Sequence, residues 1–307
     1  MPFLLSVILP AFNEEENILH CLWEIQNAVQ GWPVEILVVD DGSTDRTAEV
    51  ALGGGEAVTV LRLSRNFGKE GAIFAGLEQA KGNYIAVMDC DMQHPPALLP
   101  KMLKMMETAD IVHAVKKYPK RKGRHCANLF YRIFYRLSGM ELQNRSDYIM
   151  MTRKAADSIL RLPERQTFFR AMSSWVGFAQ KSVFFTPPPR RNGTGKWTKW
   201  KLCKYAVSGI TAFSSLPLYL VVLFGIIFFL FALAVGIHTL IMKLTGNTVP
   251  GLTTVILLIL ISAGTILLGM GIMGIYLAKI YEELKGRPRY IISEKLRKTP
   301  GRRGEDE

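Results

Sequence analysis

Two long uncharged stretches near the C-terminus constrain the fold of this chain more than any other feature. No Asp, Glu, Lys or Arg occurs from Leu216 to Met242, and a second uncharged run extends from Leu244 to Ala278. Each run exceeds the roughly 20 residues that a helix needs to cross the core of a bilayer. We therefore predict transmembrane helices at residues 214–242 and 251–278, joined by a short external loop at 243–250.

The distribution of charge favours a membrane protein over a nucleic-acid binder. The formal net charge is +12, but the basic residues crowd into 190–204 before the first run and 279–303 after the second, while Lys243 alone lies between them. By the positive-inside rule, both termini are then cytoplasmic. The same cations attract anionic headgroups, so we expect a multi-pass protein of the inner (plasma) membrane with membrane lipids as partners and no nucleic acid.

The segments outside the two uncharged runs have different compositions. Residues 1–197 alternate apolar and polar segments as a soluble domain does, and 198–213 mixes aromatic and apolar residues with Lys, as an amphipathic juxtamembrane helix does. Residues 279–307 are predicted to be a basic cytoplasmic tail. Glycines in the second span, at 264, 269, 271 and 274, allow close helix packing and so a homo-oligomer, although membrane helices are ordinarily rich in glycine.

The first 115 residues alternate strand and helix patterns about every 20 to 25 residues. Such alternation predicts an α/β fold in which a mostly parallel, Rossmann-like sheet is covered by helices on both faces. Ligands of such sheets bind beyond the carboxyl ends of the strands. The predicted strands are 6–10, 34–40, 58–63, 84–88 and 110–115.

An acidic motif follows the strand predicted at 84–88. Asp89, Asp91 and Gln93 alternate along the chain, and alternate residues of an extended segment point the same way. Their oxygen atoms would suit Mg²⁺ or Mn²⁺ completed by substrate phosphates. For such a pattern alone, the alternative is a solvated acidic turn.

A second acidic pair, Asp40 and Asp41, follows the strand predicted at 34–40. Carboxylates at this position are able to accept hydrogen bonds from a base N–H and a ribose hydroxyl. The alternative is a helix cap, which Ser43 or Thr44 would serve alone.

These motifs, in this order and spacing, resemble the polyprenyl-phosphate glycosyltransferases of glycosyltransferase family 2, which have the GT-A fold. The resemblance is greatest to the two-span bactoprenol (undecaprenyl-phosphate) glucosyltransferases, which are related to the aminoarabinose and dolichol-phosphate mannose enzymes, and it covers roughly residues 4–292. It is carried by Pro10-Ala11-Phe12-Asn13-Glu14-Glu15, by Asp40-Asp41-Gly42-Ser43-x-Asp45, by Arg65-Asn66-Phe67-Gly68-Lys69, by Asp89-x-Asp91-x-Gln93-x-Pro95-Pro96, and by the post-membrane Tyr281-Glu282-Glu283-Leu284-Lys285-Gly286-Arg287-Pro288.

The resemblance implies a nucleotide-sugar site and a catalytic pair. Asp41 would bind the nucleobase, and the metal–diphosphate would be held by Asp89 and Asp91, with Gln93 completing the metal shell. Asp147 and Asp91 are expected to be the catalytic residues. The residues expected around the nucleoside are Pro10, Phe12, Glu14 and Asp40.

Two departures from the family pattern concern the acceptor side. The catalytic aspartate usually stands in Gly-Asp-Phe, whereas this chain has Ser146-Asp147-Tyr148 interrupting before a strand predicted at 149–151. The family commonly has Arg after the strand ending near Val115, whereas this chain has Lys116-Lys117, which offers a point charge instead of a bidentate contact.

The acceptor implied by the resemblance is a lipid monophosphate. Such a phosphate is largely dianionic at neutral pH and already nucleophilic, so Asp147 either orients a substrate or acts as a base when a proton remains. The candidates to hold this phosphate, with headgroup binding as the alternative role, are Arg124, Arg190, Arg191 and Lys196.

The sequence therefore predicts an inverting, metal-dependent glycosyltransferase that moves glucose from UDP-glucose to undecaprenyl phosphate for modification of cell-envelope glycans. The same chemistry with GDP-mannose, UDP-N-acetylglucosamine or a UDP-aminoarabinose derivative remains open. A non-catalytic glycolipid scaffold or translocation protein is the alternative from another class, which the near absence of charge within the spans disfavours.

Overall fold

The computed structural model describes residues 4–117, 136, 145–164, 168–188, 216–245 and 251–298. The chain folds into two compact units. The first comprises residues 1–197 together with 287–307, and the second comprises residues 198–286.

The first unit is built on one eight-stranded mixed sheet, which confirms the predicted α/β class. The strand order across the sheet is β7-β5-β6-β4-β1-β2-β3-β8. The pairs β1–β2, β1–β4, β2–β3 and β5–β7 are parallel, and the other three pairs are antiparallel. The strands are β1 (Leu5–Ala11), β2 (Val34–Asp40), β3 (Val58–Leu63), β4 (Tyr84–Val87), β5 (Ile111–Lys116), β6 (Arg145–Thr152), β7 (Gln180–Phe185) and β8 (Ile292–Arg297).

Helices cover both faces of the sheet. Leu5, Val7 and Leu9 of β1 share a core with α1, α2 and α4. Ile8 points to the opposite face, because side chains alternate along a strand. There α3 crosses β1 so closely that a Cβ on Gly76 would collide with Ile8. The helices of this unit are α1 (Ile18–Ala28), α2 (Thr47–Leu52), α3 (Lys69–Gln79), α4 (Leu99–Met105), α5 (Arg153–Leu160) and α6 (Phe169–Trp175).

Strand β6 begins earlier than the sequence predicts. The strand spans Arg145–Thr152 and so includes Ser146-Asp147-Tyr148, but its pairing with β4 covers 149–152, and its register with β5 shifts between His113 and Val115, opposite this segment. Tyr148 is fully buried in the sheet core, so its neighbour Asp147 points to the opposite face. The interruption predicted at Ser146-Asp147-Tyr148 is therefore found as an irregularity in the pairing of β6 and not as a break before the strand.

The chain after the second apolar helix returns to the sheet. Strand β8 pairs antiparallel with β3, with Leu296 opposite Val60. Residues 279–307 were predicted to be a basic tail, and this strand was not predicted. Its pairing partner lies more than 200 residues earlier, and its residues ISEKLR have no strong strand pattern.

The second unit contains two long apolar helices, α7 (Leu216–Leu244) and α8 (Leu252–Leu284). Both are long and apolar enough to cross a membrane, as predicted, over Leu218–Met242 and Leu258–Leu284. Their large apolar side chains are mostly exposed within the chain, as expected of surfaces that face lipid. The juxtamembrane segment 198–213 and most of the loop at 243–250 lie outside the described residues.

Candidate active site

A cleft of about 340 Å³ opens beyond the carboxyl ends of β1, β2 and β4. This is the edge at which parallel sheets bind ligands. Twelve residues line the cleft, and six of them were predicted to bind the nucleotide sugar or the metal. The lining residues are Pro10, Ala11, Phe12, Glu14, Asp41, Asn66, Gly68, Lys69, Ala72, Asp89, Cys90 and Asp91.

Hydrogen bonds between the loops after β1 and β2 shape one wall of the cleft. The Asn13 N–H donates to Ser43 Oγ at 3.0 Å, and the Glu14 N–H donates to Thr47 Oγ1 at 2.9 Å. Asn13 has a left-handed backbone with φ of 55°, and its Oδ1 accepts from the Thr44 N–H. These contacts tie the two loops together through Asn, Ser and Thr side chains.

Asp40 and Asp41 have different structural positions. Asp40 is fully buried, accepts a hydrogen bond from the Ser43 N–H and lies 3.3 Å from Arg62 Nε. It is not among the residues that line the cleft. Asp40 therefore stabilises the turn after β2, and its predicted contact with the nucleoside stays a prediction.

Asp41 faces the cleft and is held there by backbone donors. Its two carboxylate oxygens accept from the N–H groups of Phe67 and Gly68, at 2.7 and 2.9 Å. Burial raises the pKa of this carboxyl, although the two N–H donors act against the shift. Gly42 has φ of 68°, and a Cβ there would lie 2.6 Å from the backbone of Arg65, so only glycine lets the two loops meet.

Asp89 and Asp91 both line the cleft, but the chain between Asp91 and Gln93 is not extended. Strand β4 ends at Val87, and Met92 has a left-handed backbone with φ of 61°. The alternation that placed Gln93 beside the two aspartates therefore does not hold. The Gln93 side-chain oxygen lies 3.4 Å from Lys116 Nζ, and Gln93 is not among the cleft-lining residues, so its predicted role at a metal remains a prediction.

His94 supports the turn that follows β4. It is buried, its Nδ1 accepts from the Asp89 N–H at 2.9 Å, and its ring stacks on Tyr148 at 5.2 Å. Burial lowers the pKa of His94 to about 4, which suits a neutral ring that accepts at Nδ1. His94 was not predicted to be part of the site.

Two cations hold Asp147 on the face of the sheet covered by α3. Lys69 Nζ donates to Asp147 Oδ2 at 2.7 Å, and it lies 2.5 Å from Asp89 Oδ1. Arg170 donates to Asp147 Oδ1 through Nε at 3.1 Å and Nη2 at 2.9 Å. The lysine thus joins the acidic motif after β4 to the aspartate of β6.

This arrangement fixes the charge state of the cluster. Burial by itself would raise the pKa of Asp147, but Lys69 and Arg170 lower it well below the usual range of a carboxyl. Burial likewise opposes the charge of Lys69, but Asp89 and Asp147 raise its pKa above the ordinary value. Asp147 is therefore a persistent anion in the structure.

A further acid, Glu70, lies next to this cluster. Its Oε2 accepts from the Phe169 N–H at 2.9 Å at the start of α6. Burial, followed by the charge of Asp147, raises the pKa of Glu70 to about 8. Lys69, Glu70 and Arg170 were not predicted as site residues. Lys69 alone had a sequence signal, because it ends the Arg65–Lys69 motif.

The acidic residues of the cleft fit a metal that shares its ligands with a substrate. Within the described part of the chain, no group of three or more His, Cys, Asp or Glu side chains forms a metal cage. Asp89 and Asp91 nevertheless place two carboxylates on the wall of one cleft. Mg²⁺ typically uses one or two carboxylates and takes its other ligands from phosphates and water.

The predicted acceptor side is described only in part. Arg124, Arg190, Arg191 and Lys196 all lie outside the described residues. Lys116 is half-buried beside Gln93, where burial lowers the pKa of its ammonium group. The acceptor-phosphate roles stay predictions.

Comparison with solved structures defines the class of fold. Glucosyl-3-phosphoglycerate synthase from Mycobacterium tuberculosis, solved with Mn²⁺, uridine diphosphate and glucosyl-3-phosphoglycerate, aligns with a TM-score of 0.50. The alignment covers 68% of this chain and 78% of that one at 22% identity. The first unit therefore has the GT-A fold.

Sequence comparison gives the family. The chain is 35% identical over 303 residues to an uncharacterized glycosyltransferase of Synechocystis, covering 94% of this chain and 95% of that protein. It is also 35% identical over 311 residues to the SfII prophage-derived bactoprenol glucosyl transferase of Shigella flexneri, covering 96% and 99%. The family profile "Glycosyl transferase family 2" matches residues 6–160. The chain belongs to glycosyltransferase family 2 and is a glycosyltransferase, as its motifs predict.

Proposed function

We propose that this protein transfers glucose with inversion from UDP-glucose to undecaprenyl phosphate at the cytoplasmic face of the inner membrane, with Mg²⁺ or Mn²⁺. The observation that carries the proposal is the cleft in which Asp41, Asp89 and Asp91 meet, in a chain with two apolar helices. The near full-length similarity to a bactoprenol glucosyl transferase supports the lipid acceptor and the glucose donor.

The donor lies along the cleft with its nucleoside against the loops after β1 and β2. Asp41 accepts from the base N–H, with its carboxylate already oriented by Phe67 and Gly68. Phe12 is 42% exposed and offers an aromatic face at the same wall. Pro10 and Glu14 complete this wall around the nucleoside.

The diphosphate lies toward Asp89 and Asp91. These carboxylates would hold the divalent metal, and the chemistry it would supply is positive charge that offsets the negative charge of the departing diphosphate. A phosphate oxygen of the lipid attacks C1 of the sugar as the bond from C1 to the diphosphate oxygen breaks, and this single displacement inverts the anomeric centre. UDP leaves with the electron pair.

Asp147 acts as an anchor and not as a base. The acceptor phosphate needs no deprotonation at neutral pH because its second pKa is about 6. A carboxylate that receives hydrogen bonds from both Lys69 and Arg170 is a poor proton acceptor. Asp147 instead positions these two cations beside the reacting groups, while the basic residues near the membrane surface hold the acceptor.

The proposal is tested with membranes containing the protein, undecaprenyl phosphate, Mg²⁺ and a panel of labelled nucleotide sugars. We expect labelled lipid from UDP-glucose, its loss in excess EDTA, and a product of inverted anomeric configuration by NMR. A panel that includes GDP-mannose, UDP-N-acetylglucosamine and a UDP-aminoarabinose derivative separates the alternative donors. Absence of labelled lipid with every donor would refute the transfer reaction.

Substitution of the acidic motif tests the metal site. Asp89→Asn and Asp91→Asn should each lower transfer by about 100-fold or more, because charge stabilisation of the leaving group is lost. The control is Asp157→Asn on α5, whose half-exposed side chain forms an i,i+4 ion pair with Arg153 and which should leave transfer unchanged. Activity retained in both motif variants would contradict the assignment.

A further inference from the structure

Lys69 occupies an unusual position for a cation. It is the first residue of α3, where the helix dipole disfavours positive charge. Its side chain is 38% exposed and lines the cleft, yet its ammonium group is in contact with both Asp89 and Asp147. The two carboxylates compensate for the unfavourable helix end and hold the lysine in the cleft.

The two carboxylates do not depend equally on this lysine. Asp147 has a second cationic partner, because Arg170 donates to its other oxygen from α6. On Asp89, Lys69 Nζ lies 2.5 Å from Oδ1, whereas the neighbour of Oδ2 is the neutral ring of His94, with Nδ1 at 3.7 Å. Loss of the lysine therefore leaves Asp147 paired but exposes the charge of Asp89.

We propose that Lys69 is a positioning residue that occupies Asp89 in the free enzyme, yields it to the metal when the donor binds, and remains on Asp147 beside the diphosphate. This inference rests on the metal site of the proposed function. An ammonium group and a divalent cation beside the same carboxylate repel each other, so the metal alone would bind weakly. The donor diphosphate brings negative charge that compensates both cations.

The consequence is coupling between metal and nucleotide. In the wild type, UDP should strengthen metal binding strongly, because it stabilises the displaced ammonium group. Coupling of this kind is reciprocal, so metal should strengthen UDP binding by the same factor. The arrangement would keep the enzyme from retaining a metal ion without its donor.

The test measures Mn²⁺ binding directly, by electron paramagnetic resonance of free Mn²⁺, on the full chain purified in detergent with and without UDP. Lys69→Met should bind Mn²⁺ alone about tenfold more tightly than the wild type, gain less affinity from UDP, and transfer sugar more slowly. If Lys69 had a purely structural role, its loss would weaken Mn²⁺ binding and slow sugar transfer together. Tighter Mn²⁺ binding combined with slower transfer therefore distinguishes the proposed role from a structural one. Lys69→Arg, which keeps a cation, should bind Mn²⁺ alone about as weakly as the wild type.

The matched control is Lys101→Met on the exposed surface of α4, which should change none of these quantities. A Lys69→Met protein with wild-type thermal unfolding that binds Mn²⁺ alone no more tightly than the wild type would overturn the inference, while leaving the metal site intact. If Lys69→Met fails to fold, Lys69→Gln is judged by the same affinity criterion. If neither the wild type nor the lysine variants bind Mn²⁺ with UDP present, the metal site of the proposed function is itself refuted, and the inference with it.

Discussion

At the scale of single residues, the acidic side chains around the cleft divide into those that face it and those that build it. Asp41, Asp89 and Asp91 line the cleft. Asp40 is buried in the turn after β2, and Asp45 accepts hydrogen bonds from Thr47 and from the Glu15 N–H. The sequence motifs contain both the acids that face the cleft and the acids that stabilise the loops. The motifs do not distinguish the two, because turn formation and ligand binding favour similar residues in the same short segments.

The partly buried acid Glu70 gives a prediction about stability and pH. Its pKa is raised from an ordinary value of 4.5 to about 8 by burial and by Asp147, although Lys69 and Arg170 act in the opposite direction. The unfolded chain therefore releases this proton at lower pH than the folded protein does. The contribution to stability is complete below about pH 4.5 and is lost as the pH rises toward 8.

Glu70→Gln should remove this dependence, because an amide oxygen still accepts from the Phe169 N–H and never ionises. When the pH is raised from 5.5 to 8, the melting temperature of the wild type should fall further than that of the variant. The difference between the two falls should be about 3 °C or more. The measurement is thermal unfolding in detergent at both pH values, with exposed Glu107→Gln as the control. Equal pH dependence in wild type and variant would contradict the protonated state of Glu70 in the fold.

At the scale of elements, the strand after the membrane helices is the least expected part of the fold. Besides pairing with β3, this segment contacts α3, the helix that begins with Lys69. Arg289 lies over the Phe74 ring at 4.5 Å and donates to the carbonyl oxygens of Leu162 and Glu164. The segment therefore supports the helix that carries a cleft residue.

Leu296 tests the contribution of β8. It is partly buried against the core and pairs with Val60, so Leu296→Ala should destabilise the first unit by about 1–3 kcal/mol, somewhat less than a fully buried leucine would. Thermal unfolding measures the loss, and Lys298→Ala, an exposed residue just beyond the strand, is the control. If the stability of the Leu296→Ala variant were unchanged, β8 would not be paired with β3 in solution.

The strands and helices differ in how well the sequence predicts them. Strands β1 to β5 and helices α1 and α3 follow from local apolar patterns bounded by turn residues, and the cleft follows from the ends of those strands. The inclusion of Asp147 in β6, the pairing of β8 and the contact of Arg170 with Asp147 depend on partners distant in sequence. A local sequence pattern carries no information about such contacts. For this reason Lys69 and Arg170 were not predicted to be partners of Asp147.

At the scale of the whole molecule, the chain combines a GT-A unit with two apolar helices, and the reaction proposed for it takes place at a membrane surface. Helices α7 and α8 each provide more than 20 apolar residues. The sequence before α7 and after α8 is rich in Lys and Arg, whereas the connection between them has one lysine. This asymmetry predicts that the connection is outside and that both ends are cytoplasmic.

Cysteine labelling in intact cells tests this orientation. Cys21 and Cys90 are buried, so a background in which Cys126 and Cys203 are replaced by Ser should react little with a membrane-impermeant maleimide. Thr245→Cys, just after α7, should then be labelled before lysis. Lys285→Cys, just after α8, should be labelled only after lysis, because the basic segment that follows it is retained on the cytoplasmic side.

The two variants serve as controls for each other, since both place an exposed cysteine directly at the end of an apolar helix. Labelling of Lys285→Cys in intact cells would put the second end of the helix pair outside. Because β8 follows that end by fewer than ten residues and pairs with β3, the whole catalytic unit would then be outside as well. Nucleotide sugars are made in the cytoplasm, so that outcome would separate the cleft from its donor and contradict the proposed reaction.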